Sequence, residues 1–334
     1  MPRKPLPSLM LAGLFAALLS GCAKQTPKEP TPMTPEKVEP NTLLKPAAAA
    51  KPRVALIMKS LANEFFKTME DGAKAHQQEH AGEYELICNG IKDEEDVNGQ
   101  IEIVNQMLAQ KVDALVIAPA DSTALIPVCK KARDKGLVVV NIDNKFDDGA
   151  LKKEQVSLPF VGPNNRTGAK LAGDYLAKQL TKGDGVAIIE GKPGAFNAIQ
   201  RKLGFEDAMK AAGMTILTSQ SAYWETDKAY PLVDQIHNKY GAKLKAVLCA
   251  NDSMALGAAR ALQGKAVKVV GFDNISAVQS LIKEGKVVCT IDQHADQIAA
   301  NGIVHALEIL KSGETPGDKE TPVDLITAET LEKK

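Results

Sequence analysis

The sequence predicts an α/β protein made of two doubly wound, parallel-sheet lobes. Short β-branched runs alternate with amphipathic segments of about 12 to 18 residues from Arg53 to Leu331, which is typical of parallel strands covered by helices. The roughly 284 residues of this part of the chain are enough for two lobes of ordinary size. Its two halves also match each other, so we expect the same unit twice.

Three pairs of segments carry the match between the halves. The pairs are 54–57 with 186–189, 114–122 with 246–253, and 140–144 with 270–274. Apolar strands look alike, so any single match could arise by chance. Offsets that stay between 130 and 132 residues in all three pairs favour a duplicated unit.

The first strand runs into a helix through a turn that contains no glycine. Dinucleotide-binding domains and nucleotide hydrolases place glycines at this junction so that the backbone can approach phosphates, and neither glycine pattern occurs here. The turn carries Lys59, Asn63, Phe65 and Phe66 instead, a set suited to a neutral polyol with an apolar face. Alternatively, Asn63 caps the helix and the rings belong to the core; we accept this interpretation for one of the two rings.

Further polar and aromatic residues stand where other strands end. Asp143 and Asp273 end equivalent strands, and Asn251 ends another. Trp224, the only tryptophan, follows the strand that ends near Ser221. Ligands of open α/β sheets bind beyond the carboxyl ends of the strands, so two facing sheets would line one cleft with these residues. Each also has a structural explanation as a helix cap, a turn residue or a core ring, but together they favour a binding cleft.

The first 50 residues differ from the rest of the chain. A basic start precedes an apolar stretch at 9–19 that is too short to span a membrane stably, which predicts an export leader over 1–21. The sequence Leu-Ser-Gly-Cys that ends at Cys22 resembles the bacterial lipobox, so we expect Cys22 to be lipidated; an ordinary signal peptide is the alternative. Residues 22–50 are rich in proline and predict an extended tether.

Composition argues against several classes of function. The formal net charge is +0, 25% of the residues are charged, and no basic run lies outside the leader, so no nucleic-acid partner is indicated. The four cysteines after Cys22 lack the close spacings of a zinc site and are expected to be buried thiols. A bridge between Cys249 and Cys289 stays open, since spacing alone does not bring them within bonding range.

The segment from His76 to His80 fits the His-x-x-Glu-His pattern of one metalloprotease group. Helical spacing would put both imidazoles on one face. However, His76 continues the stripe of Phe66, Met69 and Ala73 toward the helix end, where histidines suit the helix dipole. We therefore predict no metal site.

Six segments of the chain resemble those of a known family. They are 59–66, 140–145, 186–192, 250–257, 269–273 and 290–293. On these segments the chain resembles the type I periplasmic sugar-binding proteins of ABC importers, the ribose-, galactose- and allose-binding group, over essentially all of 53–328. Lys59 and the segment 186–192 look nearest to the allose-binding member.

This resemblance implies two lobes joined by a three-segment hinge. The lobes would comprise 51–162 with 294–322 and 163–293 with 323–334. The chain would cross between them near Gly162, Gln293 and Pro322, and these residues could act as hinges. The implied function is a monomeric solute-binding lipoprotein on the periplasmic or cell-surface side of a membrane. It would deliver a sugar to an ABC permease, touch the membrane only through its lipid anchor, and catalyse nothing.

The family's binding site maps onto seven residues of this chain, with two more close by. The seven are Asn63, Phe66, Asp143, Trp224, Asn251, Asp273 and Gln293, and the two are Lys59 and Phe65. Asn144, Asn197 and Arg201 bring the candidate site residues to twelve. Phe66 and Trp224 would lie against the C–H faces of a pyranose, and carboxylates and amides would fix the direction of its hydroxyls. No cofactor is implied.

Two departures from the family pattern argue against ribose as the ligand. Asn144 and Ile199 stand where ribose binders carry arginines. Other residues could supply the missing donors, namely Lys59, Lys145, Asn197 or Arg201. We interpret Arg201 as a helix-surface or structural residue, and the turn before it could add Phe196 to the cleft wall.

Two other functions use the same two-lobe core. A sugar sensor that docks on a chemoreceptor or a histidine kinase would have the same lobes and site, and the chain alone does not separate it from an import component. A repressor of the lactose-repressor type would need a helix-turn-helix before the first lobe, where this chain has a leader and a proline-rich tether instead.

Overall fold

The computed structural model describes residues 50–333. The predicted leader, Cys22 and nearly all of the predicted tether lie outside the described residues. Within 50–333, no helix combines the length and the apolar character needed to cross a membrane.

Strands and helices alternate along the chain, as predicted. The first half contains β1 (Arg53–Ser60), α1 (Glu64–Glu79), β2 (Glu85–Ile91), α2 (Val97–Ala109), β3 (Ala114–Ile117), α3 (Ile126–Asp134), β4 (Val138–Ile142), α4 (Asp148–Lys153) and β5 (Phe160–Pro163). The second contains α5 (Asn165–Ala177), β6 (Gly185–Glu190), α6 (Phe196–Ala211), β7 (Thr215–Ser221), α7 (Thr226–Tyr240), β8 (Leu244–Cys249), α8 (Asp252–Ala261), β9 (Lys268–Val270), α9 (Ser276–Lys283) and β10 (Thr290–Asp292). The chain ends with α10 (Ala295–Ser312), β11 (Lys319–Thr321), β12 (Asp324–Ile326) and α11 (Ala328–Leu331).

The two halves form sheets with the same strand order. The first sheet runs β2-β1-β3-β4-β5-β11 and the second β7-β6-β8-β9, and all their pairs are parallel. The strands matched by sequence, β1 with β6, β3 with β8 and β4 with β9, occupy equivalent positions. The α/β fold class and the duplicated unit are therefore confirmed.

Helices cover both faces of the sheets, which is why the central strands are apolar along nearly their whole length, whereas the edge strands β2 and β7 are only partly buried. In β1, every residue after Arg53 is buried, as expected of a parallel strand packed on both sides. Helices α1 and α10 pack together, and α10 also contacts β3 and β4, while α5 packs on α6. We call β1–β5 with α1–α4, α10 and β11 the first lobe, and α5–β10 with β12 and α11 the second lobe.

The chain passes between the lobes at three places. These are between β5 and α5, between β10 and α10, and between β11 and β12. At the second crossing His294 has a left-handed backbone (φ 53°), and its Nε2 lies 2.8 Å from Asp324 Oδ2 at the third.

The structure shows the state of the four cysteines and the surroundings of His76. Within 50–333 all four cysteines are free thiols. Cys249 ends β8 and Cys289 pairs with β9, so β9 separates the two and a bridge between them does not form. His76 Nδ1 contacts the Tyr84 hydroxyl at 2.8 Å, and no group of three His, Cys, Asp or Glu within the described range could hold a metal.

Candidate functional site

A small cavity lies where the carboxyl ends of the strands of both sheets face each other. Eleven of the twelve predicted site residues line it. They are Lys59, Asn63, Phe65, Phe66, Asp143, Asn197, Arg201, Trp224, Asn251, Asp273 and Gln293, and Glu94 joins them. Both lobes contribute residues, so the cavity lies between them.

The first lobe supplies an ammonium between two carboxylates. Lys59 Nζ lies 3.3 Å from Glu94 Oε2 and 3.4 Å from Asp143 Oδ2, and all three side chains are buried. Burial opposes the charged form of Lys59, but the two carboxylates outweigh it and raise its pKa. Lys59 is therefore a cation at neutral pH and offers proton donors at the cavity wall.

The second lobe supplies the guanidinium of Arg201. This predicted site residue, for which a helix-surface or structural role was the alternative, is buried and lines the cavity. Its Nη1 lies 3.3 Å from Asp273 Oδ1 and donates to Ala250 O at 2.9 Å, and its Nη2 donates to Gln293 Oε1 at 3.3 Å. The Phe272 ring lies 3.8 Å from the guanidinium carbon. These partners are distant in sequence from α6, so the sequence pattern of the helix does not indicate the burial of Arg201.

Asp273 is held between Arg201 and Gln293, whose Nε2 donates to Asp273 Oδ1 at 2.7 Å. Burial raises the pKa of Asp273 well above its usual range, although Arg201 acts in the opposite direction.

Asn63 and Asn251 both cap a helix and line the cavity. Asn63 Oδ1 accepts from the backbone N–H of Phe65 at 3.0 Å, and Asn251 Oδ1 accepts from that of Met254 at 2.9 Å. The Asn251 amide also donates to Trp224 O at 3.1 Å. The capping and site interpretations were posed as alternatives, but at both positions the cap fixes the side chain at the cavity wall.

Aromatic rings enter the cavity wall from both lobes. Phe66 comes from α1 and packs edge-on against Phe65 with centroids 5.1 Å apart. Trp224 lies in the turn after β7 with φ 73°, and a Cβ added at Gly191 would lie 2.2 Å from its ring. Only glycine at 191 therefore lets the indole take this position.

Three buried oxygens of the cavity wall accept no hydrogen bond from any residue in 50–333. They are Glu94 Oε2, Asp143 Oδ2 and Asn197 Oδ1. The two carboxylate oxygens attract the Lys59 ammonium without reaching hydrogen-bond geometry. A buried acceptor left without a donor costs about 1–3 kcal/mol. This cost applies to Asn197 Oδ1, whereas the ammonium of Lys59 offsets part of it at the two carboxylate oxygens. All three oxygens can accept from the hydroxyls of a ligand.

Asn144 is the predicted site residue that does not line the cavity. It is fully buried, its amide donates to Pro119 O at 2.9 Å, and its Oδ1 accepts from the backbone N–H of Asn197 at 3.2 Å. Asn144 thus connects the two lobes beside the cavity. Lys145 pairs with Asp148 and Asp318 instead of pointing to the site.

A profile of the family described as "Periplasmic binding protein domain" matches residues 54–315. The chain belongs to this family. This periplasmic binding protein is 56% identical over 287 residues to the D-ribose/D-allose-binding protein of Pseudomonas aeruginosa, a match that covers 83% of this chain and 89% of the relative. The name of this relative agrees with the ribose-, galactose- and allose-binding group that the sequence resembles.

Solved structures show the same architecture. A solute-binding protein of an ABC transporter from Burkholderia multivorans superposes with a TM-score of 0.82 at 53% identity, covering 84% of this chain and 100% of its own. Its unknown ligand is described as α-D-erythrofuranose. A solute-binding protein from Actinobacillus succinogenes with bound D-allose gives a TM-score of 0.80 at 33% identity, covering 85% of this chain and 100% of its own.

The lobes of this periplasmic binding protein contact each other around the rim of the cavity. The polar contacts are Lys192 Nζ to Ala120 O (3.0 Å), the backbone N–H of Phe196 to Ser122 Oγ (2.9 Å), the backbone N–H of Ser276 to Glu64 Oε1 (2.7 Å), and an ion pair of Lys228 with Glu95. Phe196 therefore contributes its backbone to the rim, and its ring does not line the cavity. These contacts describe a closed arrangement.

Glu94 is the residue of the cavity wall that sequence reasoning missed. It lies in the loop between β2 and α2, within the acidic run from Asp93 to Asp96, and such a run usually marks a solvated loop. Its position after β2 could have identified it as a candidate, because Asp143 was identified by its position after a strand of the same sheet.

Proposed function

We propose that this chain is a lipid-anchored solute-binding protein that captures a neutral monosaccharide between two closing lobes and delivers it to an ABC permease. The observation that carries the proposal is the buried cavity between the lobes, with an aromatic ring from each lobe and carboxylates from both. Phe66 and Trp224 suit the C–H faces of a sugar ring, and the polar atoms suit its hydroxyls.

The charges of the cavity favour an uncharged ligand. Two cations, Lys59 and Arg201, face three carboxyl groups, those of Glu94, Asp143 and Asp273. Each cation already lies within 3.4 Å of a carboxylate, so neither is free to neutralise a ligand carboxylate or phosphate. A buried anion without a partner is costly, and we expect uronic acids and sugar phosphates to be rejected.

The ligand class includes aldoses of the ribose and allose type. Ribose was doubted because two arginines were missing at Asn144 and Ile199, but Arg201 brings a guanidinium to the cavity wall from a neighbouring position. The relative with 56% identity is a D-ribose/D-allose-binding protein. Both sugars therefore belong to the proposed ligand class.

Closure of the two lobes around the ligand would let the permease distinguish the loaded protein from the empty one. A ligand that contacts both lobes favours the closed state because only that state makes both sets of contacts. The proposed moving bodies are 51–162 with 294–322 and 163–293 with 323–334, with Gly162, Gln293 and Pro322 as hinges. Gln293 contacts Arg201 and Asp273, so the hinge and the site share a residue.

The predicted lipid anchor would set where the protein acts and which partner it meets. Lipidation of Cys22 would hold a monomeric domain on a proline-rich tether at the periplasmic or cell-surface face of a membrane, where the closed form meets the permease. The domain would bind and release its ligand without catalysis. Labelling of the wild type by a radioactive fatty acid, with loss of label in Cys22→Ser, would support the anchor, and an unlabelled wild type would refute it.

A thermal-melting screen tests the ligand class. The screen covers pentoses, hexoses and sugar alcohols, with uronic acids and sugar phosphates as charged counterparts. We expect one or more neutral monosaccharides to raise the melting temperature and the charged sugars to leave it unchanged. Stabilisation by charged sugars alone would refute the proposal.

A further inference from the structure

A groove lies on the second lobe, at the end of the sheet remote from the cavity between the lobes. Its volume is about 440 Å³, within the range of small-molecule sites, about 300–1,000 Å³. The loops from α8 to β9 and from α9 to β10 line it. Among the described residues, the groove and the cavity share none of their lining residues. The proposed function therefore does not account for this groove.

The floor of the groove is apolar. It is formed by Leu256, Leu262, Val267, Val269 and Leu281. Leu262 and Val269 are buried, whereas the other three are half-buried and pack against the core with only part of their surface. Apolar surface left in water is unfavourable, and a contiguous patch of it often marks a binding site. The floor therefore favours a ligand with an apolar body.

The edge of the groove is positively charged. Arg260, Lys265 and Lys286 line it, and no carboxylate is among its lining residues in 50–333. Arg260 lies in the last turn of α8, where a cation suits the helix dipole. The two lysines lie in the loops, and each follows a glycine with a left-handed backbone, Gly264 (φ 75°) and Gly285 (φ 71°). Both turns thus present a cation to the same groove.

Two of these three cations have no carboxylate partner. Within the described part of the chain, neither Arg260 nor Lys265 forms an ion pair, and the Arg260 guanidinium lies 5.0 Å from the centroid of the Tyr230 ring. Lys286 pairs with Glu284 at 2.6 Å, and both side chains are more than half exposed. Such an exposed pair contributes little. An incoming anion can therefore approach all three cations without breaking a buried contact.

We infer that this groove is a second binding site, which takes a small amphipathic anion, namely an acyl chain with a carboxylate head. The chain lies on the apolar floor, and the carboxylate lies beside Arg260 and Lys265. An alcohol of the same length lacks the charge that the cations attract, and an alkylammonium ion is repelled by them. A neutral monosaccharide has neither the charged head nor the apolar body, so the site goes beyond the proposed function.

Calorimetric titration with three eight-carbon probes tests the inference. Octanoate carries the expected head, 1-octanol is uncharged, and octylammonium is a cation. The protein is the full chain with Cys22→Ser, so that no acyl group of an anchor competes for the groove. We expect octanoate to bind at one site, a few-fold more tightly than 1-octanol, and octylammonium not to bind. The preference for octanoate should shrink at about 1 M salt because exposed charges are screened.

Two variants separate the roles of the head and the chain. Arg260→Gln combined with Lys265→Gln should lower the affinity for octanoate to that for 1-octanol and leave the latter unchanged. Ala259→Phe should fill the groove and abolish binding of both probes. The control is Lys239→Gln combined with Lys243→Gln, which removes two exposed cations of the same lobe that do not line the groove. The first variant changes only exposed side chains, so it decides the question if Ala259→Phe does not fold.

Several results would overturn the inference. They are absence of saturable octanoate binding, equal affinity for octanoate and 1-octanol, and unchanged octanoate affinity in the Arg260 and Lys265 variant. Binding to phosphatidylglycerol vesicles without binding of octanoate would assign the groove to a membrane surface instead. A dimer that Ala259→Phe disrupts, again without octanoate binding, would assign it to a second copy of the chain. None of these results bears on sugar binding, because the groove and the cavity have separate linings.

Discussion

Asp143 and Asp273 make the same backbone hydrogen bond in the two halves of the protein. The N–H of Asp143 donates to Val161 O at 3.2 Å, and that of Asp273 donates to Ile291 O at 2.7 Å. An offset of 130 residues separates both the two donors and the two acceptors. Both aspartates have positive φ, 62° and 128°, which is uncommon outside glycine and recurs at functional sites. The repeat therefore presents one carboxylate from each lobe to the cavity.

Replacing these two aspartates by alanine should affect binding alike but stability differently. Lys59 keeps Glu94 as a partner in Asp143→Ala, whereas Asp273→Ala removes the carboxylate nearest to the buried Arg201. Breaking a buried pair costs about 3–5 kcal/mol, so Asp273→Ala should unfold at clearly lower urea concentration than Asp143→Ala. Equal urea midpoints for the two variants would contradict this difference.

Gly191→Ala should displace Trp224. The added Cβ would lie 2.2 Å from the indole ring, far inside van der Waals contact, so the ring must move and the aromatic wall from the second lobe is lost. We expect a shifted tryptophan emission spectrum and an affinity at least about 10-fold lower. Gly82→Ala is the control, because a Cβ there meets nothing within 4 Å. An unchanged spectrum in Gly191→Ala would contradict the stated position of the indole.

Lys228→Gln tests the contribution of the rim to closure. Lys228 of the second lobe pairs with Glu95 of the first, and both side chains are partly exposed. Exposed pairs contribute about 0.2–1 kcal/mol, so sugar affinity should fall by a few-fold at low salt. The difference from wild type should vanish at about 1 M salt because exposed charges are screened. Lys170→Gln, which breaks a pair with Asp174 inside the second lobe, should leave sugar affinity unchanged. An equal loss of affinity in both variants would show that the effect of Lys228→Gln does not come from closure.

The thiols of the folded domain should react slowly. Burial raises the pKa of Cys88 to about 11 and that of Cys129 to about 12, and it also raises those of Cys249 and Cys289. In Cys22→Ser protein without reductant, a thiol reagent should label little before denaturation and all four cysteines after it. Labelling of only two cysteines in denaturant would show a disulfide.

The strand-end rule accounts for what the sequence predicted well. Asp143, Asn251, Asp273 and Trp224 follow strands whose apolar character identifies them in the sequence, and parallel topology then brings those ends to one face. The internal repeat supplied the second sheet. These features depend on local patterns and on chain order, both of which a single sequence contains.

The residues that the sequence places less well depend on contacts that are distant along the chain. Arg201 is buried among residues of its own lobe, where it contacts Asn165, Ala250 and the Phe272 ring. The side chain of Asn144 accepts a hydrogen bond from the backbone N–H of Asn197 in the other lobe. None of these neighbours is near in sequence. Glu94 was hidden by its acidic neighbours, since composition does not indicate which member of a charged run turns inward.

The central claim is that the cavity between the lobes binds a neutral monosaccharide through carboxylates of both lobes. Calorimetric titration of the wild type and of Asp143→Ala with D-allose and D-ribose tests it most directly. We predict a single site with a dissociation constant on the order of micromolar for at least one sugar, and no measurable binding by the variant. No binding of either sugar by the wild type, or equal affinity in Asp143→Ala, would contradict the account.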